Sequence, residues 1–340
     1  MLDDRKAQVL LALVAEHIKT GEPVSSRAVL EATNLGVSAA TIRNDLAALE
    51  HEGLVVQPHT SAGRVPTARA YRFYVDSGEP LRLRAAAKTK IQGFFSTMHT
   101  ELGRLLKETS EMLAALSHYP AVVVGPGIAS ELVRGVHVVE VDPGTLMTVF
   151  VTNTGRVMQR VVERGEQTSE ETIERLERFM SECLVGRTLG DGLGMAAPQV
   201  GDLPPDLAHL AIATIESSEG LTEENRQVFV GGTGQMAPLW EDIANIHHIL
   251  ALLERDAHLV GLLAEGPEQP TVRIGQELDS ISSDIALVSS PYLVAGGEAS
   301  GRLGVFGPMR MDYRRAISIV QEVSEGLTES LGSVKPDKDS

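Results

Sequence analysis

Two short segments near the N-terminus carry side chains suited to hydrogen-bonding a nucleic-acid duplex. Ser38-Ala39-Ala40-Thr41-Ile42-Arg43-Asn44 puts small polar groups, a guanidinium and an amide at the start of a helical pattern. An asparagine side chain matches the edge of adenine, and an arginine matches guanine or a phosphate. The amino end of the helix itself favours phosphate. Some fifteen residues on, His59-Thr60-Ser61-Ala62-Gly63-Arg64 combines small residues for a tight turn with a cation at the tip. An arginine in such a loop suits the phosphate backbone or a minor groove. Each set also has a plainer explanation. Arg43 could pair with Asp45 or Glu50 on the surface, and Arg64 could be a solvated turn charge.

The elements that must position these groups are legible around them. Val9, Leu10, Leu13, Val14 and Ile18 recur at helical spacing over residues 4–19, and Thr20-Gly21-Glu22-Pro23 ends that helix. Ser25 or Ser26 can cap a short second helix over roughly 26–33. Asn34-Leu35-Gly36-Val37 turns the chain, and Ser38 caps a third helix over roughly 39–51, closed by Gly53. Ile42, Leu46 and Leu49 make its inward stripe. Leu54-Val55-Val56 and Val65-Pro66-Thr67 are short strands able to pair across the Pro58–Arg64 turn. The pattern is a helix-turn-helix followed by a wing.

The charge distribution supports a local rather than a general affinity for nucleic acid. The formal net charge is −16, which disfavours indiscriminate coating of DNA or an anionic membrane. Residues 1–77 hold eight Lys/Arg against nine Asp/Glu, whereas the remainder holds 22 against 37. Within 57–75 stand Arg64, Arg69 and Arg72 with no acid, a small positive island. Hydrophobic residues make up 43% and aromatics only 4%, so cores of Leu, Val, Ile and Ala are expected. The single cysteine, Cys183, cannot form an intrachain disulfide and reads as a buried small hydrophobe. No apolar run approaches the roughly 18 residues of a membrane span, and the first residues lack the basic region of a signal peptide. A cytoplasmic location is expected.

Beyond residue 77 the pattern is helical from about 81 to 117. Residues 121–124, 136–141, 146–152 and 156–162 read as strands and 168–185 as a helix. Residues 190–205 are rich in Gly and Pro and mark a loop or boundary. Helices follow at about 206–218, 222–228 and 237–263. Strands return at 271–275, 284–289 and 302–306, and a last helix covers 312–331. The fold class is α+β multidomain.

Several strings are specific beyond this patterning. Gly21-Glu22-Pro23-Val24-Ser25-Ser26-Arg27, Ser38 to Leu46, and Gln57-Pro58-His59-Thr60-Ser61-Ala62-Gly63-Arg64-Val65-Pro66-Thr67 closely resemble the HrcA family of bacterial heat-inducible repressors. Tyr71-Arg72-Phe73-Tyr74-Val75-Asp76, Ile274-Gly275-Gln276-Glu277 and Phe306-Gly307-Pro308-Met309-Arg310-Met311-Asp312-Tyr313 are similar to the same family. The resemblance spans nearly the whole chain. It implies an N-terminal winged helix-turn-helix that binds an inverted-repeat operator as a homodimer. A GAF-like α/β domain with an inserted dimerisation domain follows, and the GroE chaperonin keeps the repressor active. By carry-over, DNA contacts fall on Ser38, Thr41, Arg43, Asn44, His59, Thr60, Ser61 and Arg64. The expected division is 1–77 for the winged helix, 78–117 for a helical linker, 118–164 plus 266–332 for the GAF-like domain, and 165–265 for the insertion. Residues 333–340 are expected to be a disordered tail.

Other sites carry less. Gly231-Gly232-Thr233-Gly234 lacks the spacing and the following Lys-Ser/Thr of a phosphate loop, so a tight turn after a strand is expected. His247-His248 has no further ligands at workable spacing. The stripe Ile246, Leu250, Leu253, Val260, Leu263 reads as core or as a dimer face. Neither cofactor nor metal is expected, and with no GxSxG or HExxH string no enzymatic activity is. A metabolite-responsive repressor, sensing a ligand through the GAF-like domain, is the alternative.

Overall fold

The computed structural model describes residues 2–332 except 34, 60–61, 98–101, 128–130, 154, 165–167, 220–225, 236–238, 240–245, 247–248, 252, 254–255, 265–268, 279–283 and 294–298. The pair His247-His248, most of the helix expected at 222–228 and the tail 333–340 therefore lie outside the described residues.

The N-terminal unit opens with three helices, α1 (Asp4–Thr20), α2 (Ser26–Ala32) and α3 (Ala39–His51). Each starts at a side-chain cap: Asp3, Ser25 and Ser38 accept from the backbone N–H groups of Lys6, Ala28 and Thr41. Gly21 ends α1 in the left-handed region, at φ 72°, where glycine carries no steric cost. Strands β1 (Val55–Val56) and β2 (Val65–Pro66) pair antiparallel as the wing, and α4 (Ala68–Asp76) follows.

Two helices, α5 (Ala85–Thr97) and α6 (Leu102–Ser117), occupy the expected linker. They do not stand free. With the last helix, α11 (Tyr313–Gly332), they form a layer whose apolar core is continuous with that of the N-terminal unit. This layer covers one face of a five-stranded antiparallel sheet of order β7-β3-β10-β9-β8. Its strands are β3 (Ala121–Val124), β7 (Val228–Gly231), β8 (Thr271–Ile274), β9 (Ile285–Leu293) and β10 (Ala299–Pro308). The other face is covered by α10 (Asp256–Ala264) with Ile249 and Leu253, packed on Val122, Val124, Leu287 and Phe306. Of the stripe, Leu253 and Leu263 are buried over this sheet, and Ile246, Leu250 and Val260 pack partly buried against them.

The intervening chain forms a separate body. Strands β4 (Val133–Asp142), β5 (Thr145–Thr152) and β6 (Val157–Glu163) form their own three-stranded sheet, of order β4-β5-β6. One face of their sheet packs under α7 (Glu170–Leu184), α8 (Leu189–Gln199) and α9 (Pro205–Glu219), around Val136, Leu146, Phe150, Leu176, Met180 and Leu210. Cys183 is buried in this core, and burial pushes its thiol pKa up.

This arrangement differs from the expected limits, which grouped 118–164 with the larger sheet and began the insertion at 165. The hydrogen-bond ladder supplies the reason. β3 and β7 are direct neighbours, with Val124 opposite Val228, and Gly125 N–H extends the pairing to the Gln227 carbonyl at 2.7 Å. The chain leaves the sheet after Gly125 and re-enters at Gln227, so β4–β6 and α7–α9 belong to a single excursion. The Gly/Pro-rich stretch expected as a loop is mostly α8. Thr188 caps it, and Leu189, Leu193 and Ala196 bury one face. Gly192 lets α7 approach closely, for a Cβ there would meet Leu184 at 2.8 Å. Gly231, expected in a tight turn, ends β7 where it crosses α6: a Cβ would lie 2.4 Å from the Ser110 carbonyl oxygen.

Candidate nucleic-acid interface

Helix α3 is amphipathic in the required sense. Ile42, Leu46 and Leu49 are buried, and so is Asp45. The opposite side exposes Ala40, Arg43, Asn44, Ala47 and His51, a stripe at i, i+3, i+4, i+7 and i+11. Arg43 and Asn44 make no side-chain hydrogen bond or ion pair among the described residues. Ala47 and His51 escaped the sequence reading, which weighted the first turn of the helix. The signal was present in the spacing, since both lie one and two turns beyond Arg43 and Asn44 on the same side.

The two acids of α3 do not share that face freely. Asp45, 4% exposed, accepts two hydrogen bonds from Arg5 of α1, both of 2.9 Å. The bond and charge of Asp45 push the Arg5 pKa up. Glu50 is held by Arg64, with Nε and Nη2 at 3.0 and 2.9 Å. Both carboxylates that would repel a phosphate are therefore neutralised from within, and Arg43 pairs with neither.

This pairing relocates Arg64. Its side chain is only 17% exposed and sits at the base of the wing, not at the tip. Its backbone exchanges hydrogen bonds with Val24 of the α1–α2 connection, at 2.8 and 2.9 Å. Gly63 is needed here, because a Cβ would fall 2.4 Å from the Val24 carbonyl. Gln57 adds a bond from Nε2 to the Ala62 carbonyl, of 3.0 Å. Arg64 thus braces the wing against α3. Arg64→Ala is expected to lower the unfolding free energy by about 1–2 kcal/mol, the loss of a charge-assisted hydrogen bond. A denaturant titration reads this directly, and unchanged stability would return Arg64 to a surface role.

The remaining expected contacts divide. Ser38 and Thr41 share a hydrogen bond of 3.0 Å, and the Ser38 hydroxyl also caps the helix, so both serve first as helix-starting groups. His59 is exposed in the wing turn. Thr60 and Ser61 lie outside the described residues. The positive island of 57–75 is largely consumed: Arg64 by Glu50, Arg69 by the Glu52 carbonyl at 2.9 Å, and Arg72 by Glu277. Arg43 is left as the cation of the α3 face.

A capped helix with an exposed polar stripe, set behind a two-helix support and in front of a braced hairpin, defines a winged helix-turn-helix protein. Residues 26–67 match the DeoR-like helix-turn-helix domain, and residues 103–317 match the family described as HrcA protein C terminal domain. The heat-inducible transcription repressor HrcA of Frankia casuarinae is 37% identical over 342 residues, covering 98% of this chain and 100% of its own. That of Mycolicibacterium vanbaalenii is 35% identical over 340 residues, covering 97% and 98%. A crystal structure of a hypothetical protein is similar with a TM-score of 0.64 at 26% identity, covering 98% of this chain and 100% of that one. The chain belongs to the HrcA family.

Proposed function

We propose that the protein is a DNA-binding repressor of heat-shock transcription, acting in the cytoplasm. The observation that carries this reading is the outward stripe of α3, whose nearby acids are both paired internally. Names of the full-length relatives, each a heat-inducible transcription repressor, support the regulatory part. The finer reading is a dimer on an inverted-repeat operator upstream of chaperone genes, kept active by the GroE chaperonin and released when heat occupies that chaperonin. A two-fold protein presents two copies of α3 to two half-sites.

The larger sheet is read as the GAF-like domain, and the excursion between Gly125 and Gln227 as the inserted dimerisation domain. The second assignment draws on the open side of the β4–β6 sheet. There Val139, Met147 and Val161 stand in one cross-strand row, and Val151 and Val157 in another. Val157 and Val161 are 63% and 62% exposed. Such an apolar face on a small sheet is the kind of surface that pairs with a copy of itself.

Chromosomal footprinting before and after a temperature step, with and without added chaperonin, tests the whole reading. Occupancy upstream of chaperone genes is expected at the lower temperature, lost on the step and restored by chaperonin. Occupancy insensitive to both would overturn the regulatory reading.

A further inference from the structure

Three of the family-like strings do not touch the outward face of α3. Tyr71–Asp76 lies in α4, Ile274–Glu277 closes β8, and Phe306–Tyr313 joins β10 to α11. The fold brings all three together, at the junction of the N-terminal unit and the five-stranded sheet.

The contacts there are dense and specific. Arg72 donates from Nε to Glu277 Oε1 at 3.0 Å and from Nη2 to the Val272 carbonyl at 2.6 Å, and Nη2 also pairs with Glu277 Oε2. That same carboxylate oxygen accepts from Ile274 N–H at 2.9 Å. Tyr71, 2% exposed, shares a hydrogen bond of 2.8 Å with His17 Nδ1, and its ring lies 6.0 Å from that of Tyr313. Arg314 sits 5.0 Å from the centre of the Tyr74 ring. Arg310 reaches the carboxyl end of α1, where a Cβ on Gly21 would meet it at 3.5 Å. Leu278, next to Glu277, is buried in the apolar layer on the far side of the sheet. The turn that presents Glu277 is therefore seated in a core.

We propose that these strings form a clamp that sets the orientation of the DNA-binding unit on the sheet, with Arg72 and Glu277 as its positioning pair. The proposal rests on α3 being the DNA-contacting helix. With the clamp shut, the outward stripe of α3 faces solvent, so the shut state leaves that face free for DNA. A dimer gains from two sites only while their spacing is held. Opening the clamp frees each α3 to wander and weakens operator binding without touching a DNA contact. The pair is partly exposed, with side chains 30% and 43% accessible, so it can be altered without emptying a core.

The test uses the full chain as wild type, Arg72→Gln and Glu277→Gln. Amide hydrogen exchange over 71–76 and 274–278 is read on the free protein. Affinity is read on the duplex that the wild-type chain enriches from a random-sequence library. Each single variant is expected to speed exchange in both segments and to raise the apparent Kd about fivefold or more, the scale of coupling between sites. Arg43→Ala should lower affinity with exchange unchanged, which separates contact from positioning. Unchanged exchange in both single variants, or tighter binding by either, would overturn the clamp. If the wild type enriches no duplex, the DNA reading fails, while exchange still decides whether the pair holds the junction shut.

Discussion

Arg43→Ala is expected to cost roughly 1–3 kcal/mol of operator affinity at each half-site, the scale of a lost bidentate base contact. The expectation follows from what surrounds the side chain. Arg43 is exposed in the middle of the outward stripe, and Asp45 and Glu50 are already taken by Arg5 and Arg64. Among the described residues its guanidinium has no ionic tie to break before it meets DNA. Asn44→Ala is expected to fall in the same range. Since both residues are exposed, the unfolding midpoint should stay put. A gel-shift titration at fixed salt reads the affinity, and the salt matters because phosphate contacts scale with it. An unaltered titration curve would remove the residue from recognition.

A larger loss is expected from one charge on the open side of the insert. Val161→Lys places a cation at 62% exposure in the row with Met147 and Val139, so the protomer itself should fold unchanged. In a dimer closed over that face, two such cations would be buried near each other at a cost neither sheet can offset. The expected product is a monomer by light scattering. Losing the second binding site should then lower operator affinity by about 10²–10⁴-fold, the usual gain from linked sites. A dimer that survives the substitution would place the interface elsewhere.

Much of the candidate site was legible in the sequence because it is local. Serine caps, the Ile42–Leu46–Leu49 stripe and the glycine turns are all set within a few residues, and the helix-turn-helix formed where they pointed. Non-local pairing decided the rest. Nothing near Arg64 shows that Glu50 will hold it at the base of the wing, or that Arg72 will find Glu277 some two hundred positions away. Periodicity identified β4, β5 and β6 as strands but carried no information on which sheet would take them. Helix α8 was hidden by composition: Gly190, Gly192, Gly194 and Pro198 argue for a loop, and only the burial of Leu189, Leu193 and Ala196 against α7 and α9 overrides them.

The position of β3 in the larger sheet has a consequence for how the chain comes into being. Ala121 pairs on one side with Gly231 and on the other with Val305. During synthesis at about 5–20 residues per second, β3 waits on the order of 10–40 s for its second partner. Until then the edge of β3 that β10 will take has no strand to pair with, although α6 and β7 are already in place beside it. Closing loops of this length is slow, and unpaired strands are open to aggregation while they wait. The yield of native sheet should therefore follow the folding assistance at hand during that interval.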